Sequence, residues 1–274
     1  MRFSPIDLAT FLGFLLLVFA VSIRASRKKK SGTEDYFLAG RELNWWLIGI
    51  SLIASNISTE HFVGLAGRGY DLGLAIASYE WMAAVTIVLV ALVFLPRFLK
   101  AGIFTMPEYL EYRYDAGART IMAVFMMTAY VLVALATVLY SGAVALQAVI
   151  GLDVTKGIWI IGALSGLYVT YGGLRAVVWT ELIQGTALLL GGALVFFLAL
   201  HAIGGWERFT TLEAGKLHTV LPWDHPEMPW LAVFVGGLWI PNTFYWGLNQ
   251  FITQRTLAAR SLAEGQRGAI FAAA

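Results

Sequence analysis

The chain has 274 residues and a net charge of +2, and 59% of its residues are hydrophobic against 13% charged. That is about half the charged share of a globular surface, so a water-soluble domain is excluded, and nothing in the charge balance points to nucleic acid. Without cysteine, structural disulfides, thiolate metal sites and thiol catalysis are excluded as well.

Charge-free runs at 8–23, 43–59, 81–96, 120–152, 157–174, 182–206 and 228–254 are too long for buried strands and lack the alternation of an outer-membrane barrel. Several reach the roughly 20 apolar residues that carry a helix across a bilayer. In chain order they predict spans at about 6–24, 43–69, 73–96, 119–150, 157–172, 178–203 and 229–253. The first resembles a signal peptide in length. Its start carries Arg2 alone, and a strongly basic stretch stands where cleavage should occur, so it reads as a retained span. Between the third and fourth spans, Thr105 and Glu108 in capping-box spacing predict a short interfacial helix over 105–115. The fourth span exceeds the bilayer thickness and should tilt or protrude. The stretch 204–229 mixes polar, Trp and Pro residues and reads as a loop. An eighth span opens near Gly268 and the chain stops at Ala274 inside it, so the sequence reads as a fragment, about the first half of a larger protein.

The basic residues orient these spans. With the N-terminus outside, Arg24, Arg27, Lys28, Lys29, Lys30 and Arg41 face the cytoplasm. So do Arg97, Lys100, Arg113, Arg119, Arg175, Arg255, Arg260 and Arg267, against Arg2, Arg68, Lys156, Arg208 and Lys216 outside. The bias follows the positive-inside rule.

Two spans carry interruptions. The second contains Ser55-Asn56-Ile57-Ser58, whose side chains compete for backbone hydrogen bonds, followed by Glu60 and His61. The seventh contains Gly236-Gly237 and then Pro241-Asn242, where proline removes a backbone donor and should kink the helix. Both could be simple kinks. Unwound backbone at membrane depth is tolerated where it lines a cavity, however, and a separation of five spans is what a five-helix repeat would give. Glu80 lies within the third span, where a carboxylate costs about 2.5 to 3.5 kcal/mol, and reads as functional. Asn56, His61, Glu80 and Asn242 form a donor and acceptor set suited to an uncharged polyhydroxylated ligand. Tyr245 and Trp246 could supply flat faces for a sugar ring or pack against neighbours. Glu181, near the inner end of the sixth span, suits either an ion path or an interfacial pair with Arg175.

At these residues the chain resembles the sodium/solute symporter family, most closely its sodium/sugar (glucose/galactose) cotransporter branch. The carrying segments are Phe37-Leu38-Ala39-Gly40-Arg41, Ser55 to Gly64, Tyr79-Glu80-Trp81, Tyr171 to Glu181, and Tyr245-Trp246 with Asn249-Gln250 and Gln254-Arg255. The resemblance implies an all-α, polytopic membrane fold of inverted five-helix (LeuT-like) repeats. The span at 6–24 would lie outside the repeats, 43–203 would form the first, and 229–274 would open the second, which the chain truncates. It implies sodium as the co-transported ion. It also implies sugar contacts from Asn56, His61, Glu80 and Asn242, with Tyr245 as an aromatic inner gate and Trp246 beside it. Main-chain carbonyls of Ala54 and Ile57 would supply part of the sodium site. Three positions depart from the pattern: His61 stands where bacterial sugar carriers can have glutamine, Ala83 replaces a serine, and Glu181 replaces an aspartate.

The expected function is sodium-coupled symport of a galactose- or glucose-type sugar across the cell membrane. Its partners would be sodium, the solute and the lipid bilayer; oligomeric state is not encoded in these features. Alternatives are symport of an inositol, a sialic acid or an amino acid, or a transporter-like sensor feeding a signalling domain. Enzyme chemistry is disfavoured, since His61, His201, His218 and His225 form no His-Glu-x-x-His site and no Gly-x-Ser-x-Gly elbow occurs.

Overall fold

The computed structural model describes residues 4–27, 32–212 and 214–274; Arg2, Lys28, Lys29 and Lys30, used above for orientation, lie outside them. The first span is α1 (Pro5–Ser26), opened by a capping box in which the Asp7 amide donates to Ser4 Oγ at 3.2 Å and the Ser4 amide to Asp7 Oδ2 at 2.9 Å. Proline at its first position loses no bond there. The loop that follows carries α2 (Thr33–Leu38) and leads into α3 (Trp45–Asn56). A π turn (Glu60–Leu65) and α4 (Ala66–Leu72) complete the second span, so the predicted interruption is real. A 3-10 turn (Gly73–Ala77), α5 (Ser78–Leu89) and α6 (Leu95–Ala101) make the third.

Residues 60–101 form an apolar helical run of 42 residues, which at 1.5 Å per residue would be about twice the thickness of the hydrocarbon core. Gly73 divides it. With φ 78° and ψ −153°, it occupies backbone space that a side chain rarely enters. The interfacial helix appears as α7 (Met106–Arg113), where Glu108 reaches back to accept the Phe104 amide at 2.7 Å. The fourth span, α8 (Ala116–Ala129) and α9 (Ala136–Ile150), runs through a π turn at Tyr130–Leu135.

The fifth and sixth spans, expected to be separated by a short loop, are joined directly in α10 (Val154–Ala202). Gly173, at φ 58° and ψ −159°, is the non-helical residue at which α10 kinks. Before it, Gly157 and Gly162 lie against Ala143 and Leu139 of α9; after it, Gly185 and Gly192 lie against Ala54 and Phe62. A Cβ on Gly173 would come within 2.6 Å of the Tyr36 carbonyl oxygen.

The stretch 204–229, expected as a loop, contains α11 (Trp206–Leu212) and a 3-10 turn at Ala214–Leu217. It is held on the turn at Gly73: Lys216 Nζ donates to the Tyr70 carbonyl at 2.7 Å and lies over the Tyr70 ring, while Arg68 pairs with Glu227. On the opposite side Arg41 gathers three loops, donating to the carbonyls of Gly102, Ile103 and Leu257. These two sets of contacts keep apart the loops that alternation of spans assigns to opposite sides.

The seventh span is broken twice. A π turn (Leu231–Val235) ends at Gly236, whose φ −117° and ψ −98° are not helical. The Trp239 indole N–H then donates to the Phe234 carbonyl at 2.8 Å. Next come α12 (Trp239–Gly247) and α13 (Gln250–Leu257), with a bend of 52° across Leu248 and Asn249. Pro241, expected to cause a kink, does not. It lies in the first turn of α12, where a missing amide hydrogen costs no helical bond. α14 (Leu262–Ala273) packs along α3 and begins beside it, Glu264 Oε2 accepting the Trp45 amide at 2.6 Å. The core lies where α3, α5, α6, α13 and α14 meet, around the buried Ile48, Leu52, Ile87, Phe98 and Leu257.

Candidate functional site around the first helix break

The first break is built from short polar side chains that satisfy backbone groups locally. Ser55 Oγ donates back to the Ser51 carbonyl at 2.8 Å, a bond that weakens helical continuity. The last regular bond of α3 runs from the Ile57 amide to the Ile53 carbonyl at 3.0 Å, and Ile57 itself is extended at φ −72°, ψ 122°. Beyond it, Ser58 Oγ accepts the Glu60 amide at 3.2 Å and restarts the chain as a helix.

Glu80 faces this break from the first turn of α5, where the helix end favours a carboxylate. Asn56 Nδ2 donates to its Oε2 at 3.1 Å, and His61 Nε2 lies 3.3 Å from its Oε1. The Ser58 amide donates to His61 Nδ1 at 3.2 Å. An accepting Nδ1 places the hydrogen of the neutral ring on Nε2, so His61 donates to Glu80. Asn56, His61 and Glu80, proposed from sequence as one set, are therefore together. Glu80 remains 45% exposed at the side chain, leaving lone pairs for further donors.

The other candidates are placed differently. Asn242 lies on α12, which packs against α5, and its Nδ2 donates to the Leu238 carbonyl one turn back at 3.0 Å. Tyr245 is half-buried, edge-on to Trp246 and Phe251 with ring centres at 5.2 Å and 5.8 Å. Trp246 is buried in the core, so its ring packs against protein. Ala54 and Ile57 flank the break, and both helical donors that would engage their carbonyls are diverted. The Ser58 amide serves His61, and the His61 amide donates to the Ser58 carbonyl at 3.0 Å. Among the described residues no three His, Asp or Glu side chains cluster as metal ligands.

Glu181 does not pair with Arg175. Its carboxylate is buried against Arg255, with Ser51 Oγ donating to it and Arg255 Nε 2.9 Å from that hydroxyl. Arg175 instead bridges Asp35 at 3.2 Å, Glu42 at 3.0 Å and the Ala39 carbonyl at 2.8 Å. Arg255, counted above among inner-loop charges, is thus part of the buried packing.

One residue at the bend between α12 and α13 was not singled out from sequence. The Tyr130 hydroxyl donates to Asn249 Oδ1 at 2.6 Å and accepts the Gln250 amide at 2.9 Å, closing the polar gap between α12 and α13. Its signal was a hydroxyl in the charge-free run 120–152.

Helices interrupted at mid-span, with a carboxylate and its donors gathered at one break, are the pattern of the LeuT-like transporter fold. The chain matches the Sodium:solute symporter family over residues 36–273 and belongs to it. It is similar to the sodium/glucose cotransporter of Vibrio parahaemolyticus, at 44% identity over 98% of this chain and 52% of that protein. It is also similar to the sodium/myo-inositol cotransporter 2 of Mus musculus, at 32% identity over 98% of this chain and 43% of that protein. A solved structure of a substrate-bound, outward-open, sodium-coupled sialic acid symporter matches with a TM-score of 0.89 and 26% identity, covering 99% of this chain and 57% of that one. The chain thus spans about half the length of the relatives it matches. It is a polytopic membrane protein of a transporter family.

Proposed function

We propose that the full-length protein is a sodium-coupled symporter of a small, neutral, hydroxyl-rich solute, a hexose or a cyclitol. The observation that carries this reading is the Glu80 carboxylate, held by Asn56 and His61 beside a break whose Ala54 and Ile57 carbonyls are released from helical bonding. A carboxylate accepts hydroxyl hydrogens from a polyol at short range. Carbonyl oxygens are hard ligands suited to sodium. Sodium at the break favours the outward-open state, solute binding closes the outer side, and low internal sodium drives release. Asn242 and Tyr245, on the helix packed against α5, complete the solute pocket, and the N-terminus faces outward.

A second reading is an anionic solute, since the matched solved structure belongs to a sialic acid symporter. The Glu80 charge repels an anion at the centre of this pocket, and its described partners, Asn56 and the neutral His61 tautomer, do not cancel it. The test is uptake of labelled D-galactose and D-glucose into proteoliposomes under an imposed sodium gradient, with myo-inositol and sialic acid as competitors. The expected result is sodium-driven uptake inhibited by neutral polyols. Uptake indifferent to sodium sinks the symport reading, and competition by sialic acid alone replaces the polyol with the anion.

A further inference from the structure

The break after Asn56 links two ligands through one imidazole. In an uninterrupted helix the Ser58 amide would donate to the Ala54 carbonyl and the His61 amide to the Ile57 carbonyl. Here the first donates to His61 Nδ1 at 3.2 Å and the second to the Ser58 carbonyl at 3.0 Å. At the far side of the same ring, Nε2 lies 3.3 Å from Glu80 Oε1. One end of the ring replaces the Ala54 carbonyl as acceptor, and the other end fixes the carboxylate of the solute pocket.

We propose that His61 is the positioning residue that couples the two ligands, its Nδ1 keeping the Ala54 carbonyl free for sodium while its Nε2–H holds Glu80 for the solute. The inference rests on the symport reading above. It assigns His61 no contact with the cation; the ring acts through the Ser58 peptide. A solute that draws on Glu80 turns the ring, and the Ser58 amide follows, so each ligand senses the other across two hydrogen bonds. Sodium release and solute release are then tied at one side chain.

The two ends of the ring can be separated by substitution. His61→Asn keeps an acceptor near the Nδ1 position but does not reach Glu80. His61→Gln keeps a donor near the Nε2 position but sets a methylene against the Ser58 amide. Sodium binding to the purified full-length protein without solute, read by tryptophan fluorescence at ionic strength held constant with choline, should be about five- to tenfold weaker in His61→Gln and within about twofold of wild type in His61→Asn, the scale of one lost hydrogen bond. Equal sodium affinity in His61→Gln and wild type overturns the inference, as does an equal loss in both variants, which marks a ring needed for packing alone. If His61→Gln does not fold, the Asn variant decides, a loss of about fivefold or more overturning the role and retention supporting it. A wild-type protein that does not respond to sodium overturns the symport reading together with this one.

Discussion

Glu80 receives its two donors from opposite sides of one helix break, Asn56 before it and His61 after it. Replacing the carboxylate by an amide removes the charge and one acceptor without changing shape. Glu80→Gln should abolish sodium-driven uptake while far-ultraviolet circular dichroism stays native, and Asn242→Ala should do the same; wild-type uptake in either variant removes that residue from the pocket. Trp246 behaves otherwise. At 6% exposure it is a core residue, so Trp246→Ala should cost about 3 to 5 kcal/mol in thermal unfolding. Glu80 was visible in the sequence because a carboxylate amid apolar neighbours has no local explanation. The partner of Glu181 was not, because Arg255 lies 74 positions away and only the packing of α10 and α13 on α3 brings them together. Arg255→Met alone leaves a buried carboxylate unpaired and should destabilise by about 3 to 5 kcal/mol, whereas Glu181→Met with Arg255→Met should cost less. Denaturation of both variants checks the pair.

Helix breaks differ in how they are held. The first is closed by its own side chains, which is why Ser55 to Ser58 betrayed it in sequence. In the seventh span the break at Gly236 falls on the glycines that the sequence singles out, whereas the bend between α12 and α13 is closed from another span, by the Tyr130 hydroxyl 120 positions before Gln250, and local chemistry could not locate it. Pro241 misled for a related reason: a proline in an apolar run looks like a kink, but it costs nothing in a first turn created by the upstream glycines. Tyr130→Phe should leave Asn249 Oδ1 and the Gln250 amide without this partner, with a stability loss of about 1 to 3 kcal/mol. Faster amide exchange at Leu248 to Phe251 would mark the loosened joint, and unchanged exchange there would deny Tyr130 that role.

Across the whole molecule, the charge-free runs fall in helices: among the described residues Pro5–Ser26, Glu60–Ala101, Ala116–Ile150 and Val154–Ala202 are each long and apolar enough to cross a membrane. Connections were less legible. The stretch 204–229 carries α11 and a 3-10 turn docked on Gly73, an arrangement set by tertiary contact with Tyr70 and Arg68 rather than by composition. Alternation of the spans puts Lys216 and Lys100 on opposite sides. In intact cells, with any other thiols removed, an impermeant maleimide should label Lys216→Cys and spare Lys100→Cys; the reverse pattern would invert the orientation, and labelling of both would refute the alternation.

The kink at Gly173 also sets a limit on how the protein can move. A kink of one residue inside α10, seated on the Tyr36 carbonyl, leaves no loop between the two halves of the helix. Any swing of one must drag the other, as two arms of a single lever. Gly173→Ala, forced into backbone space that costs a side chain about 1 to 3 kcal/mol, would jam that lever at its pivot.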